Sequence, residues 1–280
     1  MFDMKNYVLL FQEKGAKEAE QYRMNKAPQK IYKFMPFFDR GHPDINKRNI
    51  ETLEEKEVWA SKYFVLNDPF EFNGMYLDEN KILASGNKID TFYEYWRYIT
   101  DSFVTVSFCA EKEDIHPLNN MPMWAHYANN HHGICIEYNV CNPIFLYPVS
   151  YEVERNPMSV VLGKFVALAL DAVNGKISGQ NPELIKYQFL VWNLLCVKHR
   201  SWKQENEFRV LFLCPGLKGK GKRVTLKEIG LEISAIYLGK DCSNRNKNKL
   251  KKIALDLKTD MYQMEVNNQS EKFDMCFRKL

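Results

Sequence analysis

The stretch SWKQENEFRVLF, Ser201–Phe212, places two carboxylates and a guanidinium within five residues. Glu205 and Glu207 are two apart, so on an extended chain both point to one face. Carboxylates that close raise each other's pKa unless a cation intervenes. Arg209 falls on the same face and is placed to pair with one and leave the other free. Trp202, at the entrance, can shield the group from water and strengthen its electrostatics. Such a set suits a charge-stabilising or acid–base site. It equally suits an Arg–Glu ladder on an exposed edge strand. From Glu207 onward Phe208, Val210 and Phe212 alternate with Arg209 and Leu211, which reads as a β-strand.

Two other polar runs compete for chemistry. In NDPFE, Asp68 is a good helix N-cap, Pro69 fits the first helical position, and Glu71 sits at the capping-box place. Asn67 favours the turn before it. The run therefore reads as a helix start unless Asn67 or Asp68 faces a cleft. MWAHYANNHHG holds three histidines, but His126 and His131 are five apart, and His131 and His132 are adjacent. Neither spacing puts two ligands on one helix face, so no metal is expected. Trp124 and Tyr127 share a face of that helix, as core residues or as a platform for a ring, while His126 points elsewhere. GxxxxGK[ST], GxGxxG and GxSxG are absent, which speaks against phosphate-loop, dinucleotide-fingerprint and serine-hydrolase chemistry.

IYKF, VWASKYFVLNDPFEF, VSFC, MWAHYANNHHGICIEY, KHRSWKQENEFRVLF and IYLG, in that order from Ile31 to Gly239, resemble a bacterial family catalogued as domain of unknown function 2971. That family's name carries no activity; the resemblance implies a stress or phage-defence setting as an expectation. A second resemblance is to the ADP-ribosyltransferase fold, in which an early strand bears a basic or His residue, a second bears Ser or Tyr, and a late strand bears Glu, often as Glu-x-Glu. Lys33, then Ser61 or Ser107, then Glu205-x-Glu207 follow that order here, and Tyr32 beside Lys33 is a further candidate for the site. Lys33 stands where Arg or His is usual, and VSFC only partly matches Ser-Thr-Ser. The resemblance implies NAD as substrate. Glu207 would hold the ribose hydroxyl and face the developing cation, Glu205 would orient the acceptor, and Lys33 would meet the pyrophosphate. Trp124 or Tyr127 would stack on a ring.

These residues must be carried by elements the pattern also shows. KIYKFMPF, EVWASKYF, FVTVSFCA, GICIEYNV, ISAIYLG, YQMEV and FDMCFRKL read as strands. NKRNIETLEEK, IDTFYEYWRYI, NMPMWAHYANNHH, NRNKNKLKKIALDL and two segments near 157–173 and 181–198 read as helices. Strands and helices mix without a βαβ rhythm, which predicts an α+β fold with a mixed, mostly antiparallel sheet. Residues 1–27 read as a helical N-terminal arm with Tyr7, Leu10 and Phe11 as its apolar stripe, and 28–280 as the α+β core of one domain. The chain has 280 residues, 45% hydrophobic and 26% charged, an ordinary globular composition. No run approaches ~18 apolar residues, so no membrane span is expected. The first residues do not read as a signal peptide, and seven scattered cysteines without a CxxC pair suggest reduced thiols and a cytoplasmic setting.

Net charge is +4, but Lys218–Lys252 holds eleven Lys/Arg against three Asp/Glu. Such a block can meet an anion, nucleic acid included. Three functions follow as expectations. The first is an NAD-cleaving or ADP-ribosyltransferase-like protein with a protein or nucleic-acid acceptor. The second is a nucleic-acid-binding or nucleic-acid-acting defence protein using residues 218–252. The third is a non-catalytic nucleotide or ligand sensor.

Overall fold

FVTVSFCA alternates small polar and large apolar side chains, and in the computed structural model it is the strand on which the architecture turns. Residues 2–84, 88–111, 115–157 and 159–280 are described. The chain begins with α1 (Met4–Lys14) and α2 (Ala16–Asn25), then β1 (Lys30–Met35), α3 (Pro43–Glu54) and β2 (Glu57–Ser61). A short strand β3 (Met75–Tyr76) and helices α4 (Glu79–Ala84) and α5 (Ile89–Asp101) lead into β4 (Phe103–Ala110). Helix α6 (Met121–Tyr127), β5 (Ile134–Val140), β6 (Leu146–Pro148), β7 (Ser150–Glu152) and β8 (Asn156–Pro157) follow. Then come α7 (Ser159–Val173), α8 (Pro182–Leu194), β9 (Val197–His199), β10 (Glu207–Leu213), β11 (Gly221–Thr225) and β12 (Leu231–Leu238). Helix α9 (Asn244–Leu257), β13 (Asp260–Val266) and β14 (Met275–Lys279) close the chain.

The main sheet runs β11-β2-β4-β1-β5-β12-β13-β14, with β10 also on β4 and β6 on β10. Its pairs are antiparallel except β12–β13, which α9 connects in parallel. The fold is α+β with a mixed, mostly antiparallel sheet, as expected. The period of 2 sorts β4 cleanly. Val104, Val106 and Phe108 enter the main core with Val58, Ile136, Leu53 of α3, and Leu250 and Ile253 of α9. Thr105, Ser107 and Cys109 face the other way. On α5, Phe92, Trp96 and Ile99 recur at helical spacing and are buried with Leu162 of α7 and Val191 of α8.

The N-terminal arm is helical, as expected, and one helix boundary changes. The N-terminal helices form a hairpin, broken at Gly15, whose φ of 93° is one that glycine tolerates. The hairpin is docked: Phe11 stacks on Phe189 of α8 at 4.1 Å, and buried Arg23 donates to the carbonyls of Pro143, Ile144 and Leu146. Helix α8 ends at Leu194 rather than near residue 198, because Val197–His199 pair in parallel with β7. That early stop puts Lys198 on a strand, which matters below.

Candidate functional site

Strand β4 has three partners for two edges. Strand β10 takes one edge along its whole length, from Glu207 opposite Cys109 to Leu213 opposite Phe103. On the other edge β2 meets β4 only at Ser61–Thr105, and β1 only at Tyr32–Cys109 and Ile31–Ala110. Between those contacts β1 and β2 part, and the β4 edge at residues 106–108 is left open. The Lys33 ammonium enters this fork and donates to the Ser107 carbonyl at 3.2 Å. Beside the fork lies a cavity of about 150 Å³, lined among others by Tyr32, Lys33, Ser61, Asn67, Ser107, Tyr127, Glu205 and Glu207. The sequence candidates on five separate segments thus come together at one place.

The floor of the cavity is a buried chain of charges. Arg209, fully buried, donates through Nε to Glu207 at 2.7 Å and through Nη1 to the Leu195 carbonyl at 2.6 Å. The same Nη1 lies 2.6 Å from Glu71 Oε1, an ion pair without hydrogen-bond alignment. Lys198 bridges the two carboxylates of the Glu-x-Glu run, at 2.6 Å from Glu205 and 3.0 Å from Glu207. Glu205 in turn accepts from the Tyr127 hydroxyl, to which Asn67 donates at 2.8 Å. Burial pushes the Glu207 carboxyl up, but Arg209 and Lys198 outweigh it and hold its pKa at about 2. Burial dominates at Glu71 and raises it. At Lys33 burial pulls the ammonium down to about 8, against the attraction of Glu207.

Glu205 and Glu207 meet without sharing a strand. Residues Arg200–Glu205 form a 3₁₀ turn that closes on Asn206 at φ 42°, and β10 starts only at Glu207. Asn is among the few residues that tolerate this left-handed backbone. Lys198, rather than a shared strand face, therefore holds the two carboxylates together.

Several expected positions differ. NDPFE starts no helix. Asp68 is buried and accepts from the Phe70 N–H at 2.9 Å, a local turn that ends with Phe72 in the left-handed region. Glu71 does not reach back to cap that turn; the stronger attraction of the Arg209 guanidinium takes it. Trp124 is core: fully buried, edge-on to Phe34, its indole N–H on the Leu118 carbonyl. His126 is exposed and does not line the cavity. Trp202 stays outside it too, its ring 4.9 Å from the Lys198 ammonium. Arg209 lies behind Glu207 rather than on the cavity wall. Tyr32, Phe34, Trp59, Phe108 and Tyr127 are the aromatic side chains on that wall, and Tyr127 touches Glu205.

Lys198, Trp59 and the pairing role of Glu71 were not singled out from sequence. Lys198 stands just before the Ser201–Phe212 run, but it read there as the tail of a helix.

Residues 123–210 match the model of a family described as protein of unknown function (DUF2971). The resemblance read from MWAHYANNHHGICIEY and KHRSWKQENEFRVLF is to this family. The matched segment carries Tyr127, Lys198, Glu205, Glu207 and Arg209, most of the charge chain, while the fork residues Lys33, Ser61 and Ser107 lie outside it. No curated protein and no solved structure matches the chain.

Proposed function

We propose that the chain breaks the nicotinamide–ribose bond of NAD and passes the ADP-ribosyl group to water or to an acceptor. The observation that carries this reading is the meeting of Lys33, Ser107 and the ionised Glu207 from β1, β4 and β10 at one fork. Cleavage sends the bonding electron pair from C1′ to the nicotinamide nitrogen and leaves positive charge on the ribose. A preorganised carboxylate stabilises that charge. Three carboxylates, Glu71, Glu205 and Glu207, stand against two cations, Arg209 and Lys198. With all three carboxylates ionised the group carries one negative charge in excess, and burial pushes the Glu71 pKa up.

Glu207, tied down by Arg209, would hold the ribose hydroxyl. An acceptor hydroxyl forms its bond to C1′ and releases its proton, with Glu205 and Tyr127 on the adjoining wall to orient it. Trp59 or Tyr127 would stack on the leaving ring. A protein or nucleic-acid acceptor would suit a role in bacterial stress or phage defence. The test is incubation with NAD, followed by mass spectrometry for free nicotinamide and for ADP-ribose on protein or nucleic acid. Nicotinamide release that disappears in Glu207→Gln is the expected result. Release unchanged in that variant overturns the assignment, and tight NAD binding without release turns the protein into a sensor.

The nucleic-acid reading has its own observation. Arg245 and Lys249 of the basic 218–252 block face Arg40 and Lys47 across a cleft of about 610 Å³ between α3 and α9. Binding of a single-stranded oligonucleotide that falls steeply with salt, and falls again in Arg245→Gln, is its test.

A further inference from the structure

Behind the fork lies a second cavity, also about 150 Å³, walled by Lys33, Arg48, Asn49, Thr52, Glu57 and Trp59 among others. It shares Lys33, Phe34, Trp59 and Ser61 with the first. The register puts Lys33 opposite Ile136, on the main-core side of the sheet. Its ammonium reaches the fork from there. Arg48 comes from α3 and lies over the Trp59 ring, 5.4 Å from its centre.

These two cations differ from those of the Glu207 group. Neither Lys33 nor Arg48 has a carboxylate within 4 Å among the described residues. Lys33 makes one hydrogen bond, to a carbonyl. Arg48 Nε is buried and has no hydrogen-bond partner. Trp59 accounts for the face of the guanidinium, since a ring attracts a cation over its face. It leaves the in-plane N–H groups unused, and those are what bind oxyanions. The two charges also repel each other: Arg48 helps lower the Lys33 pKa. A folded chain gains nothing by holding two like charges at one cavity without a counter-ion.

We propose that Lys33 and Arg48 form an anion subsite that takes the phosphate of a phosphorylated sugar. The sugar part follows from Glu57. Its Oε2 is buried on the same cavity and accepts no hydrogen bond, with Arg223 Nη1 3.8 Å away. That oxygen repels a phosphate but accepts from a hydroxyl. A ligand with both groups, phosphate toward Lys33 and Arg48 and hydroxyl toward Glu57, satisfies all three. Assigning this phosphate to the dinucleotide cleaved at Glu207 rests on the glycosyl-cleavage reading; the anion subsite itself does not.

The test uses inorganic pyrophosphate, ribose 5-phosphate and ADP-ribose at constant ionic strength, without NAD. Titration calorimetry and thermal melts are run on the wild type, Arg48→Gln, Glu57→Gln and Lys249→Gln. Saturable pyrophosphate binding is expected in the wild type, at least tenfold weaker in Arg48→Gln and unchanged in Lys249→Gln, whose site is the other cleft. The ligand-free Arg48→Gln protein should melt no lower than the wild type, because it loses an uncompensated charge. That result also shows that the variant is folded. Glu57→Gln should lower affinity for ribose 5-phosphate and spare pyrophosphate. Absent pyrophosphate binding, equal binding in Arg48→Gln, or a loss confined to Lys249→Gln overturns the subsite. Pyrophosphate bound through Arg48 without NAD cleavage removes the cleavage reading alone. In a separate turnover assay, NAD cleavage with unchanged KM in Arg48→Gln removes the assignment of this phosphate to the dinucleotide and leaves the cleavage reading standing.

Discussion

The two sides of the β1–β2 fork treat charge in opposite ways. On the Glu207 side every charged group touches an opposite charge: Glu71, Arg209, Glu207, Lys198 and Glu205 run in an unbroken series of contacts no longer than 3.0 Å. On the Arg48 side two cations share a cavity with no carboxylate within 4 Å among the described residues. Burial is costly for a charge in either place. Direct pairing offsets the cost in the first case; in the second the chain offers only a carbonyl, a ring face and the more distant Glu207. A matched network fixes geometry, which a transition state needs. An unmatched pair stores the need for a counter-ion, which a ligand meets. The fork joins the two, and Lys33 touches both cavities.

The largest effect should come from breaking the matched side. Arg209→Ala leaves Glu71 and Glu207 buried without their guanidinium, and it should cost about 3–5 kcal/mol of stability. Chemical denaturation followed by circular dichroism checks this. A loss below about 1 kcal/mol would mean that the network is not the rigid half of the comparison. Next in size is Glu207→Gln, which keeps shape and removes charge. Any NAD cleavage should fall by at least ~100-fold, about 2.7 kcal/mol of transition-state stabilisation, while the fold survives. Melts and turnover on the same samples separate this variant from Arg209→Ala, which should lose stability first.

The third effect belongs to the unmatched side and appears as pH dependence. Burial lowers Lys33 from 10.5 to about 8 in the folded chain. Between those values the unfolded chain holds a proton that the folded one has released, so stability rises with pH through that window. Below pH 8 both states are protonated and the full penalty remains. Lys33→Met should therefore remove a rising slope in stability between about pH 8 and 10. The difference between the two proteins is the quantity to measure, since the buried cysteines and tyrosines, raised on folding, add a falling slope as their unfolded forms ionise in and just above this range. Parallel slopes would show that Lys33 is matched after all. Glu207 gives a slope of the same sign in an acid window, but there the ionised form is the one the fold favours. Its pKa near 2 means its contribution is present above the ordinary carboxylate range and is lost as pH falls through about 4.5 to 2.

The sequence made the elements legible more readily than their meeting. The alternation in FVTVSFCA and the helical spacing of Phe92, Trp96 and Ile99 are local patterns, and both elements fold as read. The fork is not local. It depends on β1 and β2 competing for one edge of β4, and 29 positions separate Tyr32 from Ser61 in the chain. The candidates Tyr32, Lys33, Ser61, Asn67, Ser107, Tyr127, Glu205 and Glu207 share a cavity, while Lys198 and Arg48 carried no pattern that set them apart from other basic residues. Trp124 looked the same as a platform or as core, because helical spacing places it on an apolar face in both cases.

The smallest expected effect tests the edge of the matched side. Asn, Asp and Pro start helices and turns through the same side-chain bonds, so NDPFE did not distinguish them. In the structure Asp68 Oδ1 accepts from Phe70 N–H, and the turn delivers Glu71 to Arg209. Asp68 Oδ2, however, is buried without a hydrogen-bond partner and, unlike Glu71 Oε1, has no cation within 4 Å among the described residues. Asp68→Ala loses the turn bond but also removes that unmatched oxygen, so the two changes oppose each other. A net cost of about 1 kcal/mol or less is expected. Ligand binding should persist, because Glu71 remains held by Arg209. Asp68→Asn keeps the Phe70 acceptor and should cost less than Asp68→Ala. Thermal melts with and without NAD decide the matter. An unchanged melting temperature together with abolished binding in Asp68→Ala would place this turn among the groups that contact ligand, and the boundary between matched and unmatched charge would have to be redrawn to include it.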